Sequence, residues 1–196
     1  MFIDYISLLL INAMIGYFLL AYYVFAGLDD PDQTHWAPGF LMVGLISVVF
    51  GGLMSATWPV PGAYSNVYGE MSALFGIVFL GAGVAMARGW RLTTVVCYGF
   101  FAGVAAVVIG VRILQLKMTS DPRLTAAGFI LSGIVGILAA PTLRYFKSNR
   151  PVRVTASLVV VAAAILWAVV VYPEYWIHMK YFSEWVPPLM RGAAKP

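Results

Sequence analysis

Long apolar stretches alternate with short polar connections along the whole chain. A helix needs about 20 apolar residues to cross roughly 30 Å of hydrocarbon. Six stretches meet that length: residues 3–28, 38–57, 69–87, 92–113, 124–143 and 154–172. The connections, such as RGWR after the third stretch, are too short for a soluble domain. The pattern predicts an all-α fold: a polytopic integral membrane helical bundle of about six transmembrane helices, in a single membrane domain over residues 1–196.

Composition supports this class, because 62% of the residues are hydrophobic and only 10% are charged. A water-soluble domain of this length could not bury so much apolar surface. The first stretch contains Asp4 with no lysine or arginine before it, and no small-residue cleavage site precedes LDDPDQTHW. We therefore expect a retained helix there, not a signal peptide.

After the sixth stretch the pattern changes to a mixture of aromatic and charged residues, YPEYWIHMKYFSEWVPP. Such a mixture is typical of a segment that lies in the membrane interface. Pro173 can begin a helical turn and Pro187 would end it. We predict an interfacial tail over residues 173–188, which is either an anchor or a lid or docking surface on the face that carries Glu70.

The net charge of +4 comes from bases at the ends of apolar stretches, where they anchor against headgroups, so a nucleic-acid partner is not expected. Four of these bases crowd into LRYFKSNRPVR. This density favours a cytoplasmic position for that face and extracytoplasmic termini. The bases divide evenly between the faces: Arg88, Arg91, Arg144, Lys147, Arg150 and Arg153 on one, and Arg112, Lys117, Arg123, Lys180, Arg191 and Lys195 on the other.

Small residues form stripes at helical spacing in the third and fourth stretches. Such stripes let another backbone approach closely, which is the usual way membrane helices pack. A pore lining or a subunit contact is the alternative. The stripes are Gly69, Ser72, Gly76 and Gly83 in the third stretch, and Gly99, Gly103, Ala106 and Gly110 in the fourth.

A faint internal repeat relates DDPDQTHWAPGFLMVG before the second stretch to SDPRLTAAGFILSG before the fifth. Three stretches separate the copies, so the two halves would be inserted in opposite senses, as in many transporters. Similarity in an apolar, glycine-rich background also arises by chance.

Polar residues suggest a candidate site at one membrane face. Charges near hydrocarbon are functional candidates unless they simply lie at the interface, which is the plainer interpretation of Asp4 and Glu70. Asn12, about 12 Å deeper than Asp4, indicates either a polar path or a bridge between helices. We predict that Glu70 pairs with Arg112 where the Gly76 and Gly103 stripes face each other. The candidate polar site is Asp4, Asn12, Glu70, Arg112 and His178.

No cofactor is predicted, although bound lipid is expected. The single cysteine, Cys97, allows neither a disulfide nor a cysteine metal site. His35 and His178 fall at opposite faces, which disfavours ligation of one haem iron. A zinc or copper site of His178 with Glu70 and Glu174 has no support in the spacing. We find no nucleophile and base pair and no cofactor fingerprint, so an enzyme is not favoured.

Several strings together resemble the uncharacterised membrane protein family known as domain of unknown function 981: DYISLLLINAMIGYFLLAYYVFAGLDDPDQTHWAPGFLMVGLI, TWPVPGAYSNVYGEMSALFGIVFLGAG, FFAGVAAVVIGVRI and GFILSGIVGILAAPTL. WPVPGAYSNVYGEMSALFG is the most distinctive of them. The resemblance implies a small multi-helix protein of the archaeal or bacterial cytoplasmic membrane, with no assigned activity and no catalytic residues to carry over.

Three functions remain open. Small size, glycine stripes and an aromatic tail favour a non-catalytic subunit of a larger membrane complex, of which energy-converting assemblies are one class, with other membrane subunits as partners. A small transporter or channel, with its polar site at the face of Asp4, Glu70 and Arg112, is the alternative. The third is a quinone- or metal-binding redox protein that uses Glu70 or His178 in proton transfer.

Overall fold

The computed structural model describes residues 3–145, 148–183 and 185. Within them lie six long helices, each apolar and long enough to cross a membrane, and no strand. The predicted bundle is confirmed. The helices are α1 (Tyr5–Tyr22), α2 (Ala37–Thr57), α3 (Met71–Arg88), α4 (Thr93–Leu116), α5 (Pro122–Tyr145) and α6 (Arg150–Phe182). A π-helical turn, Tyr23–Gly27, continues α1, and another, Ser65–Glu70, leads into α3.

Successive helices run in opposite directions, so their ends form two faces. His178, near the end of α6, contacts Asp4 at the start of α1. Arg153, near the start of α6, contacts Asp29 just after α1. We call the end that carries Asp4 and His178 the Asp4 face. We call the opposite end, where α3 ends at Arg88, the Arg88 face. With this alternation, the described bases lie on the two faces to which the sequence pattern assigned them.

The polar residues at the helix starts explain where several helices begin. The Asp4 carboxylate accepts from the backbone N–H of Ser7 at 3.3 Å, and Asn149 does the same for Val152 at 3.3 Å. Such side chains satisfy backbone donors that the first helical turn leaves unpaired. At the other end of α3, Gly89 adopts φ +66°, the left-handed conformation that commonly ends a helix.

The last helix is longer than predicted. We expected Pro173 to begin a separate interfacial tail, but α6 continues through it to Phe182. At 33 residues the helix is about 50 Å long, which exceeds the ~30 Å of hydrocarbon. Its last turns can therefore reach headgroup depth without a break. Glu184 and residues 186–188 of the predicted tail lie outside the described residues.

The helices form a ring in chain order, and α6 closes it against α1. Three pairs pack most closely: α2 with α3, α4 with α5, and α6 with α1. In two of them, glycines bring backbones into contact. A Cβ added to Gly44 would lie 2.4 Å from the Leu80 nitrogen, and one added to Gly103 would lie 2.6 Å from the Gly133 oxygen. Close backbone approach at small residues is typical of membrane helices.

This pairing does not follow the faint sequence repeat. A three-plus-three duplication would make α1 and α2 equivalent to α4 and α5. The α4–α5 pair is among the closest in the ring, whereas α1 and α2 pack loosely. The arrangement is three closely packed antiparallel pairs, not two equivalent halves.

The prediction that the Gly76 and Gly103 stripes face each other is wrong. Gly76 packs against Ser47 and Val48 of α2, and Gly103 packs against α5. The α3–α4 contact is one of the looser ones in the ring. A stripe of small residues indicates a close contact but not which helix makes it.

Candidate functional site

The structure brings together two of the five predicted polar-site residues, Asp4 and His178. The His178 Nδ1 atom lies 2.8 Å from Oδ2 of Asp4 and 3.2 Å from Oγ of Ser7. Both contacts use the same ring nitrogen, so the three side chains do not form a relay of the serine-hydrolase kind, which needs both nitrogens. The cluster fastens the end of α6 to the start of α1.

Asn12 lies in the α1–α2 contact and is buried. Its Nδ2 donates to the Val43 carbonyl oxygen at 2.9 Å and to Ser47 Oγ at 2.8 Å. Both donor hydrogens are used within the protein. Asn12 is therefore a bridge between helices, the plainer of the two sequence interpretations.

Glu70 and Arg112 are exposed and do not pair with each other in the described structure. The Asn66 side chain donates to Glu70 at 2.7 Å, and Arg112 donates to Gln115 at 2.9 Å. Each bond is local to its own helix. The expected pairing is wrong because its premise, the close α3–α4 contact, is absent.

His35 lies at the Arg88 face, in the connection before α2, with Nε2 3.2 Å from Asp30 Oδ2. Nearby, hydrogen bonds from the Thr34 hydroxyl and backbone N–H hold the pKa of Asp32 below its usual value. Glu174 accepts a hydrogen bond from Ser120. Among the described residues no three His, Cys, Asp or Glu side chains are close enough to hold a metal ion.

A cavity of about 570 Å³ lies inside the ring of helices, and we call it the lumen. Residues of all six helices line it, from Leu10 of α1 to Trp167 of α6. Among the residues that the structure describes, none that lines the lumen is charged. The lumen extends to residues at the helix ends of the Arg88 face, including Leu92 and Val152.

Toward the Asp4 face the lumen is closed. Its lining ends at Tyr68, Phe129 and Trp167, whose rings pack in a row: centroids are 5.8 Å apart for the first pair and 5.1 Å for the second. Beyond them, Ile113 and Val171 are fully buried and belong to the same hydrophobic cluster as the three rings. These aromatic and aliphatic side chains separate the lumen from the Asp4 face.

Three polar groups meet inside the lumen and form what we call the polar girdle: Tyr17, Ser132 and Trp167. Trp167 Nε1 donates to Ser132 Oγ at 3.0 Å, and the Tyr17 side chain lies near Ser132. The three residues come from α1, α5 and α6. The girdle lies next to the closed end, since Trp167 belongs to both.

Sequence reasoning did not identify the lumen or its girdle. Tyr17, Ser132 and Trp167 each look like an ordinary residue of an apolar helix, and they are far apart in the chain. A signal did exist, since buried Tyr and Trp usually need a hydrogen-bond partner. Nothing in a single sequence indicates that Tyr17 and Trp167 both lie next to Ser132.

Comparison with known proteins gives a family and a fold. The family described as "Protein of unknown function (DUF981)" matches residues 1–181, and the chain belongs to it. No curated protein matches. A cryo-EM structure of the Helicobacter pylori urea channel in its closed state is similar, with a TM-score of 0.65 and 17% sequence identity, over 92% of this chain and 99% of that chain. At this identity the similarity shows a common fold alone.

Proposed function

We propose that this DUF981 protein is a channel for small uncharged solutes, with the lumen as its path. The observation that carries the proposal is a cavity of about 570 Å³ inside a ring of membrane-spanning helices, lined by all six of them in the described structure. A packing defect between two helices would not be lined by residues of all six and extend to the helix ends at one face. The similarity in fold to a urea channel supports this interpretation.

The chemistry of the lumen favours uncharged solutes. An ion in an apolar lumen without charged partners would carry a large desolvation cost. The part of the lumen that the described residues form has no charged lining residue. The polar girdle offers hydroxyl groups at Tyr17 and Ser132 that can exchange hydrogen bonds with an amide-like solute such as urea.

The described conformation corresponds to a closed channel. The rings of Tyr68, Phe129 and Trp167 and the core beyond them occlude the path. Conduction therefore requires a rearrangement at the Asp4 side, whereas the Arg88 side needs none. The neighbouring structure is likewise that of a channel in a closed state.

A matched pair of substitutions in α6 tests the path. Ala156 lines the lumen, whereas Ala162, on the same helix, is exposed on the outside of the ring. Each is replaced by phenylalanine, and urea entry into proteoliposomes is followed by stopped-flow light scattering. Ala156→Phe should reduce protein-dependent urea flux, because the phenylalanine side chain would occupy part of the lumen. Ala162→Phe should leave it unchanged. Equal flux in both variants would refute the lumen as the path.

The other two functions stay predictions. A non-catalytic subunit of a larger membrane complex predicts stable partners after purification in mild detergent. A quinone-binding protein predicts a quinone in the organic extract of the purified protein. No feature of the described residues favours either of them over a channel.

A further inference from the structure

A second cavity, of about 490 Å³, lies on the outside of the ring at the seam between α3 and α4. We call it the seam groove. Apolar residues of α3, among them Ile77, Gly81 and Val84, form its floor and side. The end of the groove at the Arg88 face is formed by Trp90 and Arg91, which belong to the connection between α3 and α4. The groove is thus apolar along its length and basic at one end.

The groove exists because α3 and α4 direct their close contacts elsewhere. Gly83 of α3 packs against Leu41 of α2, and Gly103 of α4 packs against α5. At the seam, Gly81 has no side chain, and a Cβ placed there would still be 3.6 Å from Val95. A looser seam between two tight helix pairs leaves room for a ligand from the lipid side.

The groove is somewhat shorter than one membrane leaflet. Ile77 and Ala85 mark its length on α3, a distance of about 12 Å at 1.5 Å per residue. One leaflet is about half of the ~30 Å hydrocarbon thickness. The groove can therefore hold most of an acyl chain of a lipid in the leaflet of the Arg88 face.

The charge at the groove's end selects the kind of lipid. Arg91 is exposed and Trp90 is 63% exposed, which suits a headgroup-level position. Among the described residues neither Arg88 nor Arg91 forms an ion pair, and no acidic residue lines the groove. A guanidinium without a carboxylate partner, next to an acyl-sized groove, is complementary to a phosphate group.

We propose that the seam groove binds an anionic phospholipid, with one acyl chain along Ile77, Gly81 and Val84 and its phosphate on Arg91. Val95 lines both the groove and the lumen, so this lipid covers the thinnest part of the lumen wall. The sealing role rests on the proposed channel function, but the binding itself does not. A failure of urea conduction would leave the lipid site untouched.

Titration of the delipidated protein with phosphatidylglycerol, followed by native mass spectrometry, tests the site. Arg91→Gln should weaken the first adduct about fivefold, since one basic side chain near an anionic surface is worth ~1 kcal/mol. Arg150→Gln is the matched control: Arg150 is exposed at the same face but outside the groove. It should retain the wild-type affinity. The wild type should bind phosphatidylcholine more weakly than phosphatidylglycerol. Arg91→Gln should bind the two lipids equally.

Gly81→Leu provides a second, independent variant, because it fills the groove without removing a charge. It should weaken phosphatidylglycerol binding while the thermal unfolding temperature in detergent shows that the protein still folds. Equal loss in Arg91→Gln and Arg150→Gln would mean diffuse attraction to the face and would overturn the proposal. So would unchanged binding in Gly81→Leu, or a change of oligomeric mass in that variant, which would identify a second copy as the occupant.

Discussion

Replacing Gly103 and Gly99 separately by alanine should have opposite effects on stability, although both lie in α4, one turn apart. The two glycines differ in what an added methyl group would meet. At Gly103 the new Cβ would lie 2.6 Å from the Gly133 oxygen and 2.9 Å from the Ile137 nitrogen. At Gly99 the nearest atom would be a methyl carbon of Val78 at 3.6 Å, an ordinary contact.

The magnitudes follow from these distances. Alanine in a helix interior is more favourable than glycine by about 1 kcal/mol, so Gly99→Ala should gain up to that amount. At Gly103 the backbone of α5 cannot yield as a side chain would. The Cβ must retreat by about 0.8 Å to go from 2.6 Å to an ordinary 3.4 Å contact. Overpacking of this kind costs roughly 1–3 kcal/mol, so Gly103→Ala should lose up to about 2 kcal/mol after the helix-propensity gain.

Reversible unfolding in mixed detergent and SDS micelles measures both variants on the same scale. We expect a higher unfolding midpoint for Gly99→Ala and a lower one for Gly103→Ala. A stabilised Gly103→Ala would show that α4 and α5 are farther apart than described. A strongly destabilised Gly99→Ala would mean that the α3–α4 seam is tighter than described and would also remove the basis of the seam groove.

Two further predictions concern the polar residues. Asn12→Leu removes two buried hydrogen bonds to α2 and should lower the free energy of unfolding by about 1 kcal/mol; wild-type stability would mean that these bonds are not formed. Glu70→Gln and Arg112→Gln should each change stability by less than ~0.5 kcal/mol, as exposed substitutions usually do. Their double variant should be additive, and a coupling well above ~0.5 kcal/mol would restore the pairing that the structure contradicts.

The fold was largely predictable because span length and hydropathy are local properties of the chain. All six stretches became helices in the described structure, with bounds shifted by a few residues. The largest departure is at Pro173, where sequence rules favour a helix boundary. In a membrane helix, neighbouring groups can compensate for the hydrogen bond that proline removes, so α6 continues.

Helix pairing and the lumen were not predictable, because both depend on distant partners. The Gly103 stripe correctly indicated a close contact, but only the fold identifies Gly133 as the opposing residue. Asp4 and His178 were correctly assigned to one face, since alternation of spans determines faces. The polar girdle joins residues 17, 132 and 167, and no periodicity within one helix relates them.

The most direct test of the channel proposal compares urea with guanidinium in the same proteoliposomes. The two solutes are both planar and of similar size, and they differ mainly in charge. A lumen whose described lining residues are all uncharged should pass urea above the rate of empty vesicles and exclude guanidinium, because the ion would lose its hydration without a counter-charge. Urea flux no faster than in empty vesicles, or guanidinium flux equal to that of urea, would contradict the account.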